Sequence, residues 1–348
     1  MAFTNRVLST TQDKIMPKVV DTVLNSNVLL TRELSATKKW KGETLKFPVK
    51  LSTNSTGTSF AGFDTFSTTT SQTRNLLAFN PAFYQITVSL PLDELSVNAV
   101  DETKIIDLIE VETASSAQDM ADALGTIAYG DGTGNSNKDP LGLAALVDDG
   151  TSVANIGGLS RSTNTTLKGT VTASSGVVSL AKMSTLYNAI TSGSVKPTLG
   201  LVTPAVFNFY EQLLQPQERI AKDVSVIKRG GRLDKVDGGF TSGTGFTGLY
   251  FKGVPVIADE KTTAQQMIFV NEDYLDFYAL PVALTEPVKY KFVIDGNDYN
   301  TPMGLGFSWS GWIKPTNSAA VVGHIYLGGQ FITNDPKRHG KLTGITST

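Results

Sequence analysis

At 348 residues the chain exceeds the size at which one hydrophobic core keeps growing, so two packed bodies with extensions are expected. Hydrophobic residues at 40% and charged residues at 18% exclude a wholly disordered chain, and a formal net charge of -2 removes the electrostatic basis for a sequence-independent nucleic-acid binder. Zero cysteines exclude disulfides, thiolate metal sites and thiol nucleophiles, and fit a reducing compartment. The opening Met1-Ala2-Phe3-Thr4-Asn5-Arg6 has no apolar h-region, and no window offers the ~20 consecutive apolar residues of a membrane span. The expectation is a soluble chain with no membrane partner and no propeptide removed from its front.

Residues 1–37 carry a weak helical pattern through Ile15, Val19, Val20, Val23 and Leu24, then Val28, Leu29 and Leu30, and read as an arm that docks on something, with neighbouring copies the expected surface. Residues 38–91 change to strand character at Thr44 to Leu51 and Phe83 to Leu90. Between these lies a polar stretch, Ser52 to Asn75, more than half Ser or Thr and punctuated by Phe60, Phe63 and Phe66. This is the pattern of a long two-stranded hairpin with a flexible tip, marginal alone in water and in need of a surface to lie on. The three phenylalanines are the candidate contacts; incidental apolar residues in a solvated loop are the plainer reading.

The strongest helix spans Val100 to Tyr129, with Ile106, Ile109, Thr113, Ala117, Met120, Leu124 and Ile127 at steps of three and four. Asp101 and Glu102 suit its N-terminal dipole, Gly130 is a stop, and its length would be about 45 Å. Its small middle, Ala114, Ser115, Ser116, Ala117 and Ala121, suits a spine with another element laid across it. Residues 130–178 read as loops and short strands.

A second unit follows: a helix from Leu180 to Thr191 closed by Gly193, a strand at Leu199 to Val202, and a helix begun by Thr203-Pro204 and running to Leu214. Strands recur at Leu249 to Phe251, Val254 to Ala258, Gln266 to Asn271 and Leu275 to Ala279, then in the tail at Phe307 to Ile313 and Ala319 to Ile332. Helices mixed with strands make an α+β fold.

Little in the sequence points to chemistry. The only histidines, His324 and His339, lie in an expected strand and a basic tail, where surface or packing roles suffice. Gly243-Thr244-Gly245-Phe246-Thr247-Gly248 matches GxGxxG, but a dinucleotide fingerprint must open a helix, and Leu249-Tyr250-Phe251 reads as a strand. Asp131, Thr133, Asn135, Asn137 and Asp139 alternate as calcium ligands do, yet Ser136 replaces the needed glycine and Gly142 the bidentate Glu, so a turn-rich loop is expected. Lys228, Arg229, Arg232 and Lys235, diluted by Asp234 and Asp237, are either a solvated loop or an intersubunit salt-bridge surface. No catalytic residue, metal site or cofactor is assigned. The one carboxylate pair suggesting a hydrolase, Asp295 and Asp298, sits in a Gly-Asn-rich turn.

Several segments resemble the major capsid proteins of tailed bacteriophages: Tyr129-Gly130-Asp131-Gly132-Thr133-Gly134 into Asp139-Pro140-Leu141-Gly142-Leu143, then Ile156-Gly157-Gly158-Leu159-Ser160-Arg161-Ser162. Leu201-Val202-Thr203-Pro204-Ala205, Phe251-Lys252-Gly253-Val254-Pro255-Val256, and Gly328-Gly329-Gln330 before Asp335-Pro336 add to it. The resemblance covers nearly the whole chain in order. It implies an N-terminal arm (1–37), an extended loop (38–91), a peripheral domain (92–171 and 301–348) around a spine helix (100–129), and an apical domain (172–300).

It further implies hexamers and pentamers of the chain forming an icosahedral shell in the virion, assembled in the host cytoplasm around double-stranded DNA held without sequence-specific contacts. A portal and a decoration protein are the implied partners. No long helical scaffolding segment precedes the arm, so assembly is expected to use a separate scaffold protein or none. A cellular nanocompartment shell of the same fold is the alternative. The candidate intersubunit contacts are Phe60, Phe63, Phe66, Lys228, Arg229 and Arg232.

Overall fold

The structure is a computed structural model that describes residues 27–94, 112, 115–116, 119–120, 122–173, 175–214, 248–280, 292–294, 297–299 and 307–346. Its organising element is the long strand Ala320–Thr333. Along one side it pairs antiparallel with Ala82–Pro91, from Ala320 opposite Pro91 to Gly329 opposite Ala82. Along the other it pairs with Phe307–Trp309 and Leu275–Ala279, and Lys38–Lys39 extends the sheet in parallel beyond Leu275–Ala279. Gly323 is required here because a Cβ would lie 2.3 Å from the Trp309 ring seated against it.

A second sheet has the strand order Gly248–Phe251, Val254–Ala258, Leu199–Val202, Met267–Val270, Gly340–Leu342, Thr170–Thr172. Its central strands are apolar runs because both faces are covered. Val202, Val256, Met267, Phe269 and Leu342 face the helices Leu180–Ile190 and Pro204–Leu214, meeting Met183, Leu186, Val206 and Tyr210. Leu199, Leu201, Ile257, Ile268 and Val270 join the core built on the first sheet. The period-two alternation therefore ties the two bodies together, each buried large side chain contributing about 1.5–3 kcal/mol. Local signals set the helix starts: Ser179 Oγ accepts from the Lys182 N–H, and Thr203 Oγ1 from the Val206 N–H just ahead of Pro204.

The expected spine is helical at 112, 115–116, 119–120 and 122–128; its stretch 100–111 lies outside the described residues. Met120, Leu124 and Ala128 bury one face at steps of four. Close approach occurs at Gly125, where a Cβ would meet Lys261 Cγ at 3.0 Å and Asn27 Nδ2 at 3.2 Å.

Three expectations need correction. The strand at Leu45–Lys50 pairs with Arg74–Phe79, and not with 83–90, which belongs to the five-stranded sheet. The arm's last part, helix Val28–Ser35, buries Val28, Leu29, Leu30 and Leu34 in its own chain's core, so it docks internally. Strands also cross the expected domain limits: Leu275–Ala279 joins the sheet of the tail, while Gly340–Leu342 joins the sheet expected to be apical. Residues 1–26 lie outside the described residues.

Buried polar groups lock the joints between these pieces. Asp259 accepts from Asn27 Nδ2 (3.2 Å) and the Tyr129 hydroxyl (2.8 Å), joining the first helix, the spine and a strand end. Burial, reinforced by that carboxylate, pushes the Tyr129 hydroxyl well above the usual tyrosine range. Arg32 grips Glu272 with two hydrogen bonds of 2.6 and 2.7 Å. Arg161, fully buried, donates to the carbonyls of Val153 (2.8 Å), Ala145 (2.7 Å) and Leu167 (3.1 Å). Its charge is met by Asp148 at 3.9 Å, which also faces Lys341 at 3.6 Å and accepts three backbone N–H bonds from Gly150, Ser152 and Val153.

Candidate assembly surfaces

The hairpin Leu45–Lys50/Arg74–Phe79 is half buried at its base. Leu77 and Phe79 face the core, while Lys46, Pro48 and Lys50 alternate outward. Beyond it, nearly all of 52–73 is exposed and unpaired, as an extended polar chain predicts. Phe60 is 65% exposed, Phe66 61%, and Phe63 fully exposed. Gly62, at φ +56°, turns the tip so that the Phe60 and Phe66 rings meet edge to face at 5.2 Å. The three phenylalanines thus share one tip, and the other described residues leave them uncovered.

The outer face of the hairpin, with Lys46 and Lys50, belongs to a basic segment. Residues 38–79 hold six basic side chains (Lys38, Lys39, Lys41, Lys46, Lys50, Arg74) against Glu43 and Asp64, in a chain whose net charge is -2. The pairing sets Lys50 directly opposite Arg74, both exposed, and like charges in that position repel. Residues 93–122 hold nine acidic side chains and one lysine. Of these, Asp93, Glu94, Glu112, Asp119 and Asp122 are exposed. A segment-by-segment charge count would have found this asymmetry; the chain total hides it.

Lys228, Arg229 and Arg232, with Lys235, lie outside the described residues. So does Asp295; Asp298 falls on Asn297–Tyr299, which pairs with Phe292–Ile294 as a tight hairpin. Gly248–Phe251 is a strand, so no helix follows the GxGxxG run. In the calcium-like loop the oxygens are used internally: Asp131 accepts from the Thr133 hydroxyl and N–H, which hold its carboxyl below the usual range, and Asp139 accepts from Asn135. Among the described residues no group of three or more His, Asp or Glu could hold a metal, and no helix is long and apolar enough to cross a membrane.

His324 bonds Thr87 across the sheet at 3.0 Å. His339, expected in a basic tail, is instead fully buried. Its Nδ1 accepts from the Asn271 N–H at 3.2 Å and its Nε2 lies 2.9 Å from Thr333 Oγ1, at the crossing from the first sheet to the second. Burial drives its pKa down to about 3, so it is a neutral packing residue.

No protein-family model and no curated protein sequence matches the chain. Solved structures do. A capsid chain of cyanophage A-1(L) aligns over 92% of this chain and 93% of its own at TM-score 0.64 and 14% identity. A Mycobacterium phage Bobi structure aligns over 92% and 90% at TM-score 0.51 and 8% identity. An encapsulin of Synechococcus elongatus aligns over 91% and 87% at TM-score 0.53 and 11% identity. The chain has the α+β fold of tailed-phage capsid subunits.

Proposed function

We propose that this chain is a major capsid protein whose hexamers and pentamers close into an icosahedral virion head, assembled in the host cytoplasm around double-stranded DNA. In this reading the six-stranded sheet and its helices form the apical body around the local symmetry axis. The spine and five-stranded sheet form the peripheral body. The DNA is enclosed without sequence-specific contacts, and scaffold, portal and decoration proteins are the outside partners. No catalytic step and no cofactor is assigned.

The observation that carries the reading is the uncovered loop 52–73, with three exposed phenylalanines at its tip, in a capsid-subunit fold matched over almost the whole chain. A polar loop that stays almost wholly exposed on its own subunit gains its burial from a neighbour, and many such modest contacts multiply in a closed particle. Charge supports the direction of draping: the basic hairpin face suits the acidic segment 93–122 of the next copy. Such pairing fixes register and speeds encounter more than it adds affinity.

The test is electron microscopy of the purified chain, alone and with a scaffold protein. Shells, or rings of five or six, are expected; a monomer under all assembly conditions overturns the proposal. The second reading, a nanocompartment shell, is favoured by the encapsulin likeness alone. Nuclease digestion of particles isolated from the native source separates the two: protected double-stranded DNA supports the capsid, and protein cargo without DNA supports the compartment.

A further inference from the structure

We infer that the outer edge of strand Ala82–Pro91 is a docking site for a second copy of this chain, whose loop 52–73 adds to it as a further strand. The inference rests on the shell reading and gives the draped loop its seat.

The direction of each edge amide follows from the ladder. Leu92 donates its N–H to the Ala319 carbonyl, one step beyond the Ala320–Pro91 pair. Even-numbered residues from 82 to 92 therefore aim their N–H and C=O at the long strand, and odd-numbered residues aim theirs away from it. Pro91, which has no N–H, falls on the outward set, where a proline costs the ladder nothing. Thr87 and His324, whose side chains meet at 3.0 Å, form one of the close, non-hydrogen-bonded pairs that this parity requires.

The outward amides of Phe83, Gln85, Thr87 and Ser89 have no hydrogen-bond partner among the described residues. The edge that the described residues leave open runs straight, without a bulge, for roughly 30 Å. Native edges are usually blocked by charge, by a bulge or by an interior proline. Residues 82–91 contain no charged residue, and their one proline stands at the end.

The loop 52–73 is the complementary half. No backbone-to-backbone bond joins any residue of 53–72 to another described residue. The amides with protein partners turn to nearby side chains, as Thr56 does to Asn54, Ala61 to Asp64 and Thr69 to Ser67. Asp64 is the segment's one charge, so an uncharged edge meets a nearly uncharged strand. Past the tip, Ser67-Thr68-Thr69-Thr70-Ser71-Gln72-Thr73 is a Thr-rich leg that spans about 23 Å when extended, within the length of the edge. Its hydroxyls would face Gln85, Thr87 and Ser89, a pairing sheets favour.

The absence of native cysteine makes the test clean. Gln85→Cys is combined with single cysteines scanned over 67–73, and shells are formed and oxidised. The expected result is a disulfide between subunits at one or two scan positions, absent from unassembled chain. In parallel, Gln85→Pro with Ser89→Pro removes two outward N–H groups and no ladder bond; melting should match the parent, while the concentration needed for shells rises about tenfold or more. If this variant misfolds, the disulfide scan decides. Parent shells with no intersubunit disulfide at any position, or a proline variant that assembles at the parent concentration, overturn the inference and leave the shell reading standing. Gln85→Cys cross-linking to itself points to edge-to-edge pairing and also overturns it. A parent chain that never assembles overturns both.

Discussion

Acid should begin to destabilise this subunit through His339 before its carboxylates protonate. The ring is neutral in the fold because a backbone N–H, that of Asn271, occupies Nδ1, and a proton there would set two donors against each other in a dry site. In the unfolded chain the same imidazole takes its proton near 6.5; in the folded chain burial delays it to about 3. The unfolded state therefore binds more protons throughout that window. Stability is complete above pH 6.5 and falls as the pH drops toward 3. At about 1.4 kcal/mol per pH unit, the loss is about 2 kcal/mol at pH 5 and at most about 5 kcal/mol at pH 3. Urea denaturation of the unassembled subunit at pH 7, 6 and 5 measures it. His339→Asn, whose amide oxygen can accept the Asn271 N–H, should be less stable at pH 7 yet lack this slope. A parent slope near zero between pH 7 and 5, or an equal slope in the variant, refutes the argument.

Two further outcomes follow from buried and surface charge. Arg161→Met strips the carbonyls of Val153, Ala145 and Leu167 of their donor and leaves Asp148 with a weaker counter-charge, and should cost about 3–5 kcal/mol in the same denaturation assay. Lys46→Glu with Lys50→Glu touches only exposed positions and should leave the melting temperature within about 2 °C of the parent. The same variant should slow shell assembly followed by light scattering, an effect that shrinks in high salt as the parent's rate converges on it.

Local chemistry was the most legible part of this fold. The helix ending at Leu214 starts at Pro204 because Thr203-Pro204 is a start signal that needs no tertiary context. The strands at Leu199–Val202, Val254–Ala258 and Leu275–Ala279 stood out as short apolar runs between turns. What failed depended on partners distant in sequence. Arg74–Phe79 reads Arg-Asn-Leu-Leu-Ala-Phe, without alternation, because Leu77 and Phe79 point inward while Leu76 faces solvent, so the hairpin's true return strand was invisible. His339 sits in Lys337-Arg338-His339-Gly340-Lys341, which looks like a solvated basic run. In the fold Arg338 pairs with Asp335, Lys341 with Asp148, and the histidine between them is enclosed. Arg161 gave no sign of its role, since most of its partners are backbone carbonyls. The exposure of the tip phenylalanines was legible for the opposite reason: a solvated Ser/Thr-rich loop needs no distant partner to be recognised.

The central claim is that a neighbouring copy covers what this subunit leaves bare. A cryo-electron microscopy map of the assembled particle at side-chain detail tests it directly. The account predicts a closed shell in which Phe60, Phe63 and Phe66 are buried against an adjacent subunit. A closed shell with those three rings still in solvent would contradict it.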